Sequence, residues 1–146
     1  MPRILILDDE PLIAMMVEEW LIELGCEIIG PANSVPSALG LLRSGAVDAA
    51  ILDLSLGDGD SLEVADALRR LRVPFAFATG YGANGVANRF KGAPVLSKPF
   101  DFQNVKLTIG ELLNGGERAA RDEHLESRGT EKFIQIQDPR NGPAAR

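Results

Sequence analysis

Cysteine is almost absent from this chain. Only Cys26 occurs in 146 residues, so no internal disulfide can close and no Cys/His metal cluster exists. Cys26 opens an apolar stretch and reads as a small buried hydrophobe. Histidine is equally scarce: His124 stands alone in a charged segment, where it reads as solvated and supports no metal site. Basic residues are outnumbered 15 to 21, for a formal net charge of −6. That balance argues against nucleic acid as a partner, which would need a basic patch. No apolar run is long enough to span a bilayer, so no membrane partner is expected. The first residues lead straight into a strand-like run, without the pattern of a signal peptide. A reducing cytoplasm fits these shortages.

What the chain does have is short apolar runs that end in acids. Ile4-Leu5-Ile6-Leu7 runs into Asp8-Asp9, and Ala49-Ala50-Ile51-Leu52 into Asp53. Runs this short and apolar, bounded by turn signals, read as fully buried strands of a parallel sheet. Helical patterns alternate with them. Pro11 opens a first helix with Ile13, Met16, Val17, Trp20, Leu21 and Leu24 on one face, and Gly25 stops it. A second strand covers Glu27 to Ile29, ended by Gly30-Pro31, and a second helix about Val35 to Arg43. After Asp53, Leu56 to Gly59 is a turn. Asp60 and Glu63 then have capping-box spacing for a third helix over about Ser61 to Leu71. Pro74 to Thr79 is a fourth strand and Pro94 to Ser97 a fifth. Any helix between these two is short. Asp101 can cap a last helix ending near Asn114.

Five such βα units imply an α/β fold, flavodoxin-like, with a parallel five-stranded sheet of order 2-1-3-4-5 and helices on both faces. That order sets the first and third strands side by side, so Asp8, Asp9 and Asp53 converge on the crevice where open α/β sheets bind ligands. Crowded carboxylates repel, a divalent cation relieves the repulsion, and all-oxygen ligands suit Mg²⁺. Thr79 ends the fourth strand with a hydroxyl, and Lys98 follows the fifth. A nucleophilic carboxylate, a metal site, a hydroxyl donor and a fixed cation suit transfer of a phosphoryl group onto a carboxylate. Each residue alone has a plainer reading: a helix cap for Asp8 or Asp9, a turn residue for Asp53, a β-former for Thr79, a surface charge for Lys98. Their joint order on successive strand ends is far harder to obtain by chance.

On Asp8-Asp9, Asp53, Thr79 and Lys98-Pro99, residues Pro2 to about Asn114 resemble a response-regulator receiver domain. The resemblance implies that Asp53 accepts phosphate from the phosphohistidine of a sensor histidine kinase. It implies that Asp9, Asp53 and the carbonyl of Ser55 bind Mg²⁺ directly, with Asp8 acting through water. It further implies that Thr79 and Lys98 contact the phosphoryl group and that the peptide before Pro99 is cis. The stretch Pro74-Phe-Ala-Phe-Ala-Thr-Gly-Tyr-Gly82 is similar to the signature of the "FAT GUY" receivers, single-domain regulators of α-proteobacteria. Those are associated with general stress signalling through sensor kinases and other receiver-bearing proteins. One position departs from the family: Val95 stands where typical receivers carry an aromatic switch residue. Tyr81 is the candidate replacement, its ring closing over the phosphorylated aspartate; otherwise it simply packs on the loop.

Two decoys are set aside. Gly80 to Gly85 spells G-x-G-x-x-G, but the next strand arrives too soon for a crossover helix, and Lys98 stands near where a ribose-binding acid belongs. A phosphohydrolase with an aspartate nucleophile needs an acid two residues after it, where Ser55 stands. A receiver acting as a phosphorylation-independent binding module remains the alternative. On the first helix Leu12, Met15 and Ile22 fall off the core stripe and form a candidate docking stripe for a kinase, against the plainer reading of scattered exposed apolar residues. From Gly115 to Arg146 the composition is that of a charged tail. Phe133 to Gln137 alternates like an added strand, and the rest reads as disordered. With no output domain in the sequence, output is expected through protein contact or phosphate drainage.

Overall fold

The computed structural model describes residues 1–57, 59–81, 86 and 88–125, the last ten of these through their backbone alone. Strands β1 (Arg3–Leu7), β2 (Glu27–Ala32) and β3 (Ala49–Asp53) alternate with helices α1 (Pro11–Glu23) and α2 (Val35–Ser44). A small two-stranded hairpin, β4 (Ser55–Leu56) and β5 (Gly59–Asp60), precedes α3 (Leu62–Arg70). Then come β6 (Phe75–Thr79), a 3-10 turn at Asn88–Phe90, β7 (Val95–Ser97) and α4 (Phe102–Leu125). The main sheet has the order β2-β1-β3-β6-β7 with every pair parallel. Counting only its five strands, this is the order 2-1-3-4-5 expected from the sequence.

The central strands are apolar throughout because both faces are covered. Side chains alternate across a strand, and the two cores divide accordingly. Leu5, Leu7, Ala50, Leu52, Phe75 and Phe77 face α2 and α3 through Ala38, Leu42, Val64, Ala65 and Leu68. Ile4, Ile6, Ala49, Ile51, Ala76 and Ala78 face α1 and α4 through Val17, Leu21, Val105, Ile109 and Leu112. Cys26 is buried in the second core, and burial pushes its thiol pKa up. On the first side Phe75, Phe77 and Phe90 meet edge to face, with centroids 5.5 to 5.8 Å apart. The guanidinium groups of Arg69 and Arg89 each lie 4.7 Å from the Phe90 ring centre.

Several boundaries differ from the sequence reading. β2 does not stop at Ile29 but continues through Gly30-Pro31 to Ala32. A register shift between Leu5 and Leu7 absorbs the irregularity, and an edge strand tolerates a proline that cannot donate to the ladder. The Asp60–Glu63 capping box does not form. Ser61 is the N-cap, and Asp60 Oδ1 instead accepts the Leu62 N–H at 3.1 Å. The turn after Asp53 is the β4–β5 hairpin. At α4 the reciprocal cap does form, with Asp101 and Asn104 exchanging side-chain to backbone bonds of 2.9 Å. That helix runs past Asn114 and the Gly115-Gly116 pair to Leu125. The chain divides into units Met1–Gly116 and Glu117–Arg146. The strand expected at Phe133 to Gln137 lies outside the described residues.

Candidate functional site

Sheet register places the site. Leu7 pairs with Leu52, so Asp8 and Asp53 leave adjacent strands at one level. Asp53 pairs with Ala78, and Thr79 with Ser97, which brings Thr79 and Lys98 to the same rim. The Lys98 N–H donates to the Thr79 carbonyl at 2.8 Å, fixing where its side chain begins. Lys98 Nζ then lies 3.3 Å from Asp53 Oδ1 and 3.9 Å from Asp8 Oδ2. It is nearest to a residue that the sequence reading missed: Glu10 Oε1, at 3.1 Å.

Asp8 and Asp53 are both buried. Burial first, and the Asp8 charge second, push the Asp53 carboxyl up to about 6 from 3.8, against the pull of Lys98. Burial also raises Asp8, opposed by the Glu10 backbone N–H on its Oδ1 at 2.8 Å and by Lys98. Burial alone would lower Lys98, but Glu10, Asp53 and Asp8 outweigh it and the ammonium is held more firmly charged. One oxygen each from Asp8, Glu10 and Asp53 falls within 4.8 Å of the others, the one such group among the described residues that could hold a metal ion. Hard oxygen donors with excess negative charge fit a divalent cation of the Mg²⁺ class.

Asp9 is half-buried, and its Oδ2 accepts the Gly57 N–H at 2.6 Å, so its carboxylate is oriented by the hairpin. Ser55 is exposed and pairs with Asp60. Thr79 is buried, with its Oγ1 accepting the Tyr81 N–H at 3.0 Å. The Tyr81 side chain points outward and is 74% exposed. The Lys98-Pro99 peptide is cis, as is Gly30-Pro31. Val95 is half-buried against the Phe75–Phe77–Phe90 core. Leu12, Met15 and Ile22 are exposed along α1. In the sequence Glu10 reads as the linker before Pro11. The signal available was its position as N-cap, next to a strand end that already carried two acids.

Residues 4–109 match the response regulator receiver domain family, and the chain belongs to that family. It is similar to SdrG of Sphingomonas melonis Fr1, whose solution structure shares 44% identity, with a TM-score of 0.69, over 77% of this chain and 97% of that one. TrrA of Thermotoga maritima, solved in complex with Mg²⁺-BeF, shares 32% identity with a TM-score of 0.68, covering 77% of this chain and all of that one. Among curated proteins, the phyllosphere-induced regulator PhyR of Methylorubrum extorquens is 36% identical over 125 residues, 83% of this chain and 47% of PhyR. The chain spans about half the length of the curated relatives it matches first. Among the described residues, no helix is long and apolar enough to cross a membrane.

Proposed function

We propose that this receiver domain takes a phosphoryl group onto Asp53 from the phosphohistidine of a sensor histidine kinase, in the cytoplasm. An Asp53 carboxylate oxygen attacks phosphorus, and the P–N bond to the donor imidazole breaks. The nitrogen keeps the electron pair and takes up a proton, and Asp53 becomes an acyl phosphate. The observation that carries this reading is the buried Asp53 carboxylate 3.3 Å from Lys98 Nζ at the end of the central strand. Lys98 can hold a phosphoryl oxygen, and the Thr79 hydroxyl can donate to another once its loop shifts. Asp8, Asp9 and Asp53, with the Ser55 carbonyl, are the groups that would hold Mg²⁺, which when bound neutralises the transferred oxygens. Labelling with acetyl phosphate or kinase in the presence of Mg²⁺ tests the assignment. Incorporation lost in Asp53→Ala supports it. A wild-type protein that takes no label yet binds its partner would establish the phosphorylation-independent module instead.

The receiver proper is residues 1–114, with 115–146 as an appended tail. Its signalling fits the "FAT GUY" group and stress-response output, either by changing a protein contact, including one with another receiver-bearing protein, or by draining phosphate from a kinase. Exposed Leu12, Met15 and Ile22 support kinase docking on α1. Met15→Glu is expected to slow transfer from the kinase while sparing labelling by acetyl phosphate. Equal loss in both assays would remove the docking assignment.

A further inference from the structure

Glu10 is the one carboxylate of the Asp8, Glu10, Asp53 cluster to which the proposed function gives neither the phosphoryl group nor Mg²⁺. It caps α1 in extended conformation just before Pro11, and its own N–H is spent on Asp8 Oδ1. From there its side chain extends to the lysine of the site. Oε1 reaches Lys98 Nζ at 3.1 Å, closer than Asp53 at 3.3 Å or Asp8 at 3.9 Å. Exposure separates the three acids: the Glu10 side chain is 57% exposed, those of Asp53 and Asp8 only 5% and 6%. The buried pair is fixed by the sheet, whereas Glu10 can swing into solvent at little cost.

We infer that Glu10 is a restraining positioning residue for the phosphoacceptor site. In the unphosphorylated protein it engages the Lys98 ammonium and sets a negative charge where phosphoryl oxygens must arrive. This rests on Asp53 being the acceptor. Capture of a phosphoryl group draws Lys98 toward the new oxygens and adds charge within a few ångströms of Glu10. The two anions repel and compete for one cation, so Glu10 must release Lys98 and turn outward. Its charge therefore lowers the occupancy of the site and sets a threshold for activation.

The test is beryllofluoride binding to the whole chain at saturating Mg²⁺, comparing wild type with Glu10→Gln, Glu10→Ala and Asp53→Asn. Glutamine removes the charge and keeps the shape; alanine removes both. Both Glu10 variants are expected to bind beryllofluoride about three- to five-fold more tightly, the size of a partly exposed charge effect. The advantage should shrink in high salt, which screens an exposed charge, whereas a purely structural role would not respond to salt. Mg²⁺ affinity measured without beryllofluoride should change by less than these factors. Unchanged or weaker beryllofluoride binding in Glu10→Gln overturns the inference, as does a gain seen with alanine alone. A Mg²⁺ affinity that collapses in Glu10→Gln would also overturn it, making Glu10 a metal ligand. Wild-type protein that binds no beryllofluoride, like Asp53→Asn, would instead bring down the phosphoacceptor reading itself.

Discussion

Asp53→Asn is expected to stabilise the metal-free protein, and the gain should follow pH. Burial and the neighbouring Asp8 charge raise the Asp53 carboxyl from 3.8 to about 6 even with Lys98 beside it. The folded protein thus holds a proton there more firmly than the unfolded chain does. Below about pH 3.8 both states are protonated and the site carries no penalty. Between about 3.8 and 6 the unfolded chain ionises first, and folding stability falls as pH rises. Above about 6 the penalty is complete, and a displacement of this size corresponds to about 3 kcal/mol. Asparagine keeps the shape and removes the charge. Asp53→Asn should therefore be close to wild type at pH 4 and about 3 kcal/mol more stable at pH 7.5 in EDTA, on the order of 10 °C in melting temperature for a domain of this size. Saturating Mg²⁺ should stabilise the wild type and narrow the gap, because an ion that binds only the folded state adds to its stability. Urea unfolding at the two pH values, with and without Mg²⁺, reads all of this. A variant that is less stable than wild type at pH 7.5 in EDTA, or a difference that does not change with pH, would refute the account of two crowded buried acids.

Three further outcomes follow from particular contacts. A Cβ at Gly57 would lie 3.1 Å from Asp9 Oδ2, so Gly57→Ala should displace that carboxylate and weaken Mg²⁺ binding about three- to ten-fold by calorimetry, and an unchanged affinity would separate Asp9 from the metal. Arg89 joins Asp66 at 3.1 Å and lies on the Phe90 ring, with both charged groups partly exposed; Arg89→Ala should cost about 1 kcal/mol in urea unfolding, against about 3–5 kcal/mol for Phe90→Ala, which empties a fully buried ring position. Tyr81 is 74% exposed here, so Tyr81→Ala should shift stability by less than about 0.5 kcal/mol; if its ring closes over the acyl phosphate, the variant must nonetheless change the dephosphorylation rate, and an unaltered rate would leave Tyr81 a surface residue.

The parts of this fold that could be read from the sequence are those where one local pattern has only one tertiary home. Ile4–Leu7, Ala49–Leu52 and Phe75–Ala78 are apolar on both faces, which suits only strands covered on both sides. An acid, hydroxyl or lysine at the carboxyl end of such a strand has nowhere to go but the rim. The misreadings share a different cause: local punctuation was overridden by a partner distant in sequence. Pro31 reads as a strand break, yet Leu7 and Ala32 pair beyond it because the edge position needs no donor from the proline. The change of composition at Gly115 reads as the end of the last helix near Asn114, but the residues that follow are mostly good helix formers, Ala, Glu and Arg among them, and α4 continues to Leu125. Asp60 and Glu63 have capping spacing, but the β4–β5 hairpin sets Ser61 at the cap and turns Asp60 to Leu62.

Glu10 belongs with these cases and carries the largest consequence. Locally it reads as an exposed residue before a helix proline, and only the two acids just before it hint at more. What gives it a role is Lys98, 88 positions away in sequence, which the last strand delivers to within 3.1 Å. The sheet that buries Asp8 and Asp53 also limits how far Lys98 can move, so the only member of the cluster free to yield when a phosphoryl group arrives is the exposed carboxylate at the N-cap. A site built from two buried acids on the sheet, a lysine tethered by the last strand and one exposed acid has its softest contact at Glu10 and Lys98, and the first structural response to phosphorylation should therefore be their separation, ahead of any movement of Thr79 or Tyr81. Side-chain NMR of the Lys98 ammonium during beryllofluoride titration should show a larger change in wild type, where the lysine leaves Glu10 for a fluoride, than in Glu10→Ala, where it only gains the fluoride. A Lys98 signal that responds identically in both proteins would mean that the lysine never exchanges partners.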